Sequence, residues 1–119
     1  MPKSTYAINA ALNVFLRATA YTAPTTVYVG LLNSTTEATG GSYARQAITF
    51  GAPASGVCTS ITTAQTFTNM PAMTVNTIGI YDAASAGNQL YNGAATTPKT
   101  TNAGDTVTIA IGGITVTEA

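Results

Sequence analysis

Two hydrophobic periods divide the chain. Between Ser4 and Tyr21, apolar residues Ile8, Ala11, Leu12, Phe15 and Leu16 fall at i, i+3, i+4, i+7 and i+8, the stripe of an amphipathic helix. Asn9, Asn13 and Arg17 lie opposite. Ser4 or Thr5 supplies an N-cap, and Pro24 disfavours helical geometry at Ala23. The spacing predicts one helix over residues 4–20. Its Ile8–Leu16 face is expected to pack on a sheet of the same domain, with contact to a neighbouring subunit as the alternative.

After Pro24 the period becomes two. "TTVYVGLL" sets Val27, Val29 and Leu31 against Tyr28, Gly30 and Leu32, a strand buried on both faces. "NSTTEATGG" is a polar loop. "SYARQAITFG" then places Tyr43, Arg45, Ala47 and Thr49 on one face and Ala44, Gln46, Ile48 and Phe50 on the other. A loop and a weaker strand ending near Phe67 follow. In "MPAMTVNTIGIYD", Ile78 and Ile80 share one face while Val75, Thr77, Gly79 and Tyr81 share the other. "AASAGNQ" and "NAGD" read as turns, and Asn92-Gly93 as a tight turn with positive φ. "TVTIAIGGITVTE" alternates again, and Gly112-Gly113 allows a bulge or bend before Ile114. The pattern predicts a mainly β fold: a β-sandwich or jelly-roll-like domain over residues 25–119 with the helix laid on it, one domain across residues 1–119.

Composition sharpens this picture. Charged residues make up 7% of the 119, hydrophobic residues 45%, and formal net charge is zero. An ordinary soluble domain carries roughly 25% charge. Threonine replaces the missing charge and suits the outer face of a pleated strand. Lys3, Arg17, Arg45 and Lys99 are scattered, so there is no basic cluster to displace counterions from nucleic acid. No run approaches the about 20 apolar residues of a membrane helix, and no secretory leader is legible. Neither nucleic acid nor membrane insertion is expected, and synthesis in the cytoplasm is. A neutral, weakly charged surface favours burial between copies or partners.

The reactive inventory is short. The chain has no histidine, which removes a Ser-His or Cys-His nucleophile and the usual zinc ligands. Cys58 is the only cysteine and is read as a small buried hydrophobe. The carboxylates Glu37, Asp82, Asp105 and Glu118 fall in predicted turns or at the end of the chain, where capping is the ordinary role. No catalytic, metal or cofactor residue is assigned, and no enzyme is expected. One set fits sugar binding: Tyr91 to stack on a ring, with Asn88, Gln89 and Asn92 to bond hydroxyls. The alternative is that Tyr91 packs at a sheet edge.

Four pieces in order, "AYTAPTTVYVGLLNS", "GGSYARQAITFGAPASG", "NTIGIYDAASAGNQLYNGAATTPKT" and "NAGDTVTIAIGGITVTE", follow the amphipathic segment. Together they resemble a widespread group of small tailed-phage virion proteins, commonly labelled tail fibre or minor tail proteins. After "LLNS" that group carries an Asp/Pro-rich turn where this chain has "TTEATG". The resemblance implies a structural component of a virion without fixing its place there, and the leading expectation is a tail fibre or baseplate-proximal appendage. A capsid decoration protein and a module recognising host surface glycan are the alternatives. It also implies a homo-oligomer, a trimer, that docks on other virion proteins. Tyr43, Arg45, Phe15 and Arg17 are the candidate interface residues, since an Arg beside a Tyr is enriched at interfaces. For Arg45, an internal pair with Glu37 or Asp82 is the alternative.

Overall fold

A computed structural model of the chain describes residues 2–60 and 64–117. One helix, α1 (Thr5–Arg17), precedes nine strands: β1 (Val27–Asn33), β2 (Thr36–Glu37), β3 (Gln46–Ile48), β4 (Val57–Thr59), β5 (Gln65–Met70), β6 (Met73–Tyr81), β7 (Gln89–Thr101), β8 (Asp105–Ile109) and β9 (Thr115–Thr117). Every ladder is antiparallel. The fold is mainly β with a single N-terminal helix, as the two periods predict. Among the described residues no helix is long and apolar enough to cross a membrane.

The main sheet runs β2-β1-β6-β7, and β3 also pairs β1. Strand β1 is central because both its faces are apolar, and Val29 through Leu32 are all buried. Its core face carries Val27, Val29 and Leu31, paired across β1–β6 so that Val29 opposes Ile80 and Leu31 opposes Ile78. Two ribbons, β5–β8 and β4–β9, cover that face. Phe67, Met70, Val107, Ile114 and Val116 from the ribbons join Val29, Leu31, Ile48 and Ile80 in one buried cluster. The sandwich therefore has one continuous layer and one split layer. Buried polar side chains are satisfied: Thr101 Oγ1 donates to the Pro71 carbonyl at 2.6 Å, and Ser60 Oγ accepts from Ile114 N–H at 3.3 Å.

Several local expectations change. Asn92-Gly93 is no turn. It lies inside β7, with Asn92 opposite Gly79 and Gly93 opposite Ile78. Pairing along β6 overrides the dipeptide's turn preference, and the reversal falls at residues 82–88, where Ala86 (φ 53°) and Gly87 (φ 67°) supply the left-handed geometry. Val75 sits in the same buried cluster as Ile80, since the β6–β7 ladder is irregular between Val75 and Thr77 and the strict two-residue phase is lost there. The two halves of "TVTIAIGGITVTE" form β8 and β9, which pair with different partners across a turn at Gly112 (φ 74°). Of the "SYARQAITFG" run, only Gln46–Ile48 is a strand. Cys58 is half-buried in β4, beside the core and not inside it. Asp82 and Asp105 do cap turns: Asp82 Oδ1 accepts from Asn88 N–H at 2.7 Å, and Asp105 Oδ2 accepts from Asn102 N–H at 2.8 Å. Glu37 is a strand residue in an ion pair, and Glu118 lies outside the described residues.

Candidate interface: the outer face of the helix and the clasp beside it

Helix α1 starts where its sequence says. Ser4 is the N-cap and its Oγ accepts from Ala7 N–H at 3.1 Å. It stops at Arg17, earlier than Pro24 requires, because Ala18 takes a left-handed conformation (φ 52°) and Thr19 N–H bonds back to the Asn13 carbonyl. Tyr21 then folds back edge-on against Tyr6, ring centroids 6.4 Å apart. Backbone bonds hold the N-terminal end to β7: Ser4 N–H donates to Leu90 O at 2.8 Å, and Asn92 N–H to Pro2 O at 3.1 Å.

The side of the helix facing its own sheet is the small one. Ala7, Ala10, Ala11 and Val14, flanked by Phe15 and Tyr21, line a groove of about 750 Å³ whose other wall is Pro24, Val27, Leu90 and Tyr91. The large residues turn outward: Phe15 is 81% exposed, Leu16 76%, Leu12 50% and Ile8 40%. No residue of α1 is buried. The expected packing of the Ile8–Leu16 stripe on the chain's own sheet is thus not what the structure holds. Backbone bonds at Pro2 and Ser4 hold the helix alongside β7, and Phe15 and Leu16 remain largely in water. Arg17 is exposed at the last turn, its Nη1 3.4 Å from Asn13 Oδ1.

Tyr43 and Arg45 are engaged inside the chain. Between the segments where β3 and β2 pair with it, the outer edge of β1 leaves Leu31 N–H without a strand partner, and Tyr43 Oη accepts that bond at 3.0 Å. The phenol O–H in turn donates a hydrogen bond to Glu37 Oε2 at 2.7 Å, and its ring stacks on Phe67 at 5.9 Å. Arg45 grips the same carboxylate with both arms of its fork, Nε to Oε2 and Nη2 to Oε1, each 2.8 Å. Its Nη1 donates to the Ala83 and Ala86 carbonyls at 2.9 Å, and the guanidinium carbon lies 3.6 Å from the centre of the Tyr81 ring. Of the two internal partners foreseen for Arg45, Glu37 is the one paired, while Asp82 holds Asn88. The Arg45 side chain is 9% exposed.

Room for this clasp comes from a cross-strand glycine pair, Gly30 opposite Gly79. A Cβ on Gly30 would stand 2.9 Å from both Glu37 Oε2 and Tyr81 Cε1, and one on Gly79 2.8 Å from Tyr81 Cε1. Burial pushes the Glu37 carboxyl upward, but the hydrogen bonds from Arg45 and Tyr43 outweigh it and hold the group below the usual carboxylate range. Burial first, then the bond to Glu37, push the Tyr43 phenol well above its ordinary value. Sequence reasoning named Tyr43 and Arg45 but missed Gly30, Gly79 and Tyr81 as their seat. The signal was present as glycines inside two apolar strand patterns, which mark close approach.

The hairpin set is drawn together but internally committed. Asn88 Nδ2 donates to Asp82 Oδ2 at 3.2 Å, Gln89 Nε2 to Tyr81 Oη at 3.1 Å, and Asn92 Nδ2 to Gln89 Oε1 at 2.8 Å. Tyr91 lies on the other face of β7, packed against the core cluster and lining the helix groove. The ring and the three amides do not converge on one surface. Among the described residues no group of three metal-ligating side chains exists.

The family profile described as Podophage GP4 fiber I protein gp80 matches residues 2–117. The chain belongs to this podophage fibre family. No curated protein matches it. Membership agrees with the tail-fibre resemblance carried by the "VYVGLL", "GGSYARQ", "GIYDA" and "GDTVTIAIGGITVT" segments, and makes the chain a structural fibre component of a phage virion. In this fibre protein the "GGSYARQ" segment builds the clasp, while the N-terminal helix presents the open apolar surface.

Proposed function

We propose that the chain is a self-assembling component of a tail fibre or baseplate-proximal appendage. It forms a homo-oligomer, a trimer, and docks on other virion proteins through fitted surfaces without performing a reaction. The observation that carries this reading is the outward face of α1, where Phe15 and Leu16 are 81% and 76% exposed. A helix of 13 residues with no buried position is marginal in water by itself. Packing by another subunit supplies the missing contacts, and the absence of charge from Thr5 to Leu16 leaves nothing to repel it.

Light scattering of the purified chain across a concentration series tests the proposal. A mass of three copies that falls to one in Leu12→Ser/Leu16→Ser supports it. A wild-type chain that stays monomeric at every concentration up to about 1 mM, the weak limit for a specific complex, sinks it.

A further inference from the structure

The helix groove and the helix stripe are both unfilled, adjacent and apolar. The groove, about 750 Å³, is walled by Ala7, Ala10 and Val14 on one side and Val27, Leu90 and Tyr91 on the other. Beside it stand Leu12, Phe15 and Leu16 with half or more of their surface in water. We propose that the groove of one copy receives the Leu12–Phe15–Leu16 edge of α1 from a second copy. This rests on the self-assembly reading above and names the contact that would perform it.

Three observations favour a second copy as the occupant. The first is area. Taking about 200 Å² for a fully exposed aromatic side chain and somewhat less for an aliphatic one, the exposed parts of Ile8, Leu12, Phe15 and Leu16, which share one side of α1, come to about 450 Å². That is more than half of the about 800 Å² per partner of a stable specific interface, and the groove walls of each copy add to it. The second is chemistry: Lys3 is the one charged residue lining the groove, and the inserting edge has none. The third is fit of size. Alanines recess the helix side of the groove between Phe15 and Tyr21, so bulky side chains from outside meet space there. Ridge and groove adjoin at Phe15, and the ridge of one copy in the groove of the next makes a heterologous contact, the kind that closes rings.

The test separates ridge from groove. Leu12→Ser/Leu16→Ser removes the ridge and keeps the groove. Ala7→Phe, with Ala10→Met as a second filler, occupies the groove and keeps the ridge. Circular dichroism and thermal melting first confirm that each variant folds, and sedimentation then gives its association. Each variant alone should be weakened by about tenfold or more in dissociation constant, and the ridge and filler variants mixed together should recover a two-chain complex. A wild-type assembly unaffected by both groove fillers overturns this inference while leaving self-assembly intact. So does a mixture that stays monomeric, since the ridge of one variant then does not enter the groove of the other. A monomeric wild-type chain would instead remove the self-assembly reading itself.

Discussion

Replacing Arg45 with Ala should cost the fold more than any other single charge change. The guanidinium makes two 2.8 Å bonds to Glu37, two 2.9 Å bonds to the Ala83 and Ala86 carbonyls, and lies 3.6 Å over Tyr81. Removing one partner of a fully buried pair costs about 3–5 kcal/mol, because the other charge is stranded. Here Glu37 is 26% exposed and keeps its bond from Tyr43, so water recovers part of that loss. A destabilisation of about 2–4 kcal/mol follows. For a chain of this size, that corresponds to a fall in Tm of about 10–15 °C. Urea unfolding followed by circular dichroism, in conditions where all variants are monomeric, gives the number. A cycle with Glu37→Gln should show a coupling of about 1 kcal/mol or more. Arg45→Lys should restore less than half of the loss, since an ammonium cannot take both carboxylate oxygens, reach two carbonyls and lie flat on a ring. If Arg45→Ala falls within about 0.5 kcal/mol of wild type, as a plain surface substitution does, the clasp contributes nothing and the reasoning fails.

Tyr43→Phe should cost about 1–3 kcal/mol, measured by the same unfolding assay, because it strands the Leu31 N–H inside the sheet as well as removing a donor to Glu37. Gly79→Ala should cost about 1–3 kcal/mol and make Arg45→Ala less costly by the ring contact alone, about 0.5–1 kcal/mol, since a Cβ 2.8 Å from Tyr81 Cε1 moves the ring from beneath the guanidinium. In acid, the Glu37 contribution has a defined sign. Its folded value lies below the ordinary 4.5, so its stabilisation is complete above 4.5 and is lost as pH falls through the lowered value. Glu37→Gln should flatten that part of the stability–pH curve. In base, Tyr43 is raised above its ordinary 10.0, so its contribution holds below pH 10.0 and declines as pH rises towards the folded value, a limb that Tyr43→Phe should lack.

Much of this architecture was legible because its causes are local. The helix start, the doubly buried β1 and the two Asp-capped turns follow from side chains a few residues apart. What was not legible depends on pairing across distance. Gln65 pairs with Ile109 and Val57 with Thr117, and nothing in either short strand names its partner. Asn92-Gly93 shows the same conflict: a local turn signal yields to a long ladder on β6. For Arg45 the two carboxylates within reach were known, but the choice depended on Asp82 already holding Asn88. The helix misled for a different reason. Its periodicity locates an apolar stripe but does not say who covers it, and an adjoining alanine face had an equal geometric claim on the sheet.

The clasp and the outer face of α1 should divide stability from association, on a physical basis. The clasp lies over the glycine pair of the main sheet and ties the 34–45 segment to the 82–88 turn, all within one copy. The helix buries no residue within that copy, so changes to its outer face remove almost nothing from the monomer. Substitutions at Leu12 and Leu16 should therefore leave the monomer's Tm within about 2 °C while weakening association, and Arg45→Ala should do the reverse. A chain built this way reaches a stable fold before it meets a partner. On the proposed assembly, Phe15 and Leu16, its largest exposed apolar side chains, are what it offers to a second copy. Equal losses of both properties from either change would mean that helix and sandwich fold as one cooperative unit with assembly, and that the separation argued from burial does not exist.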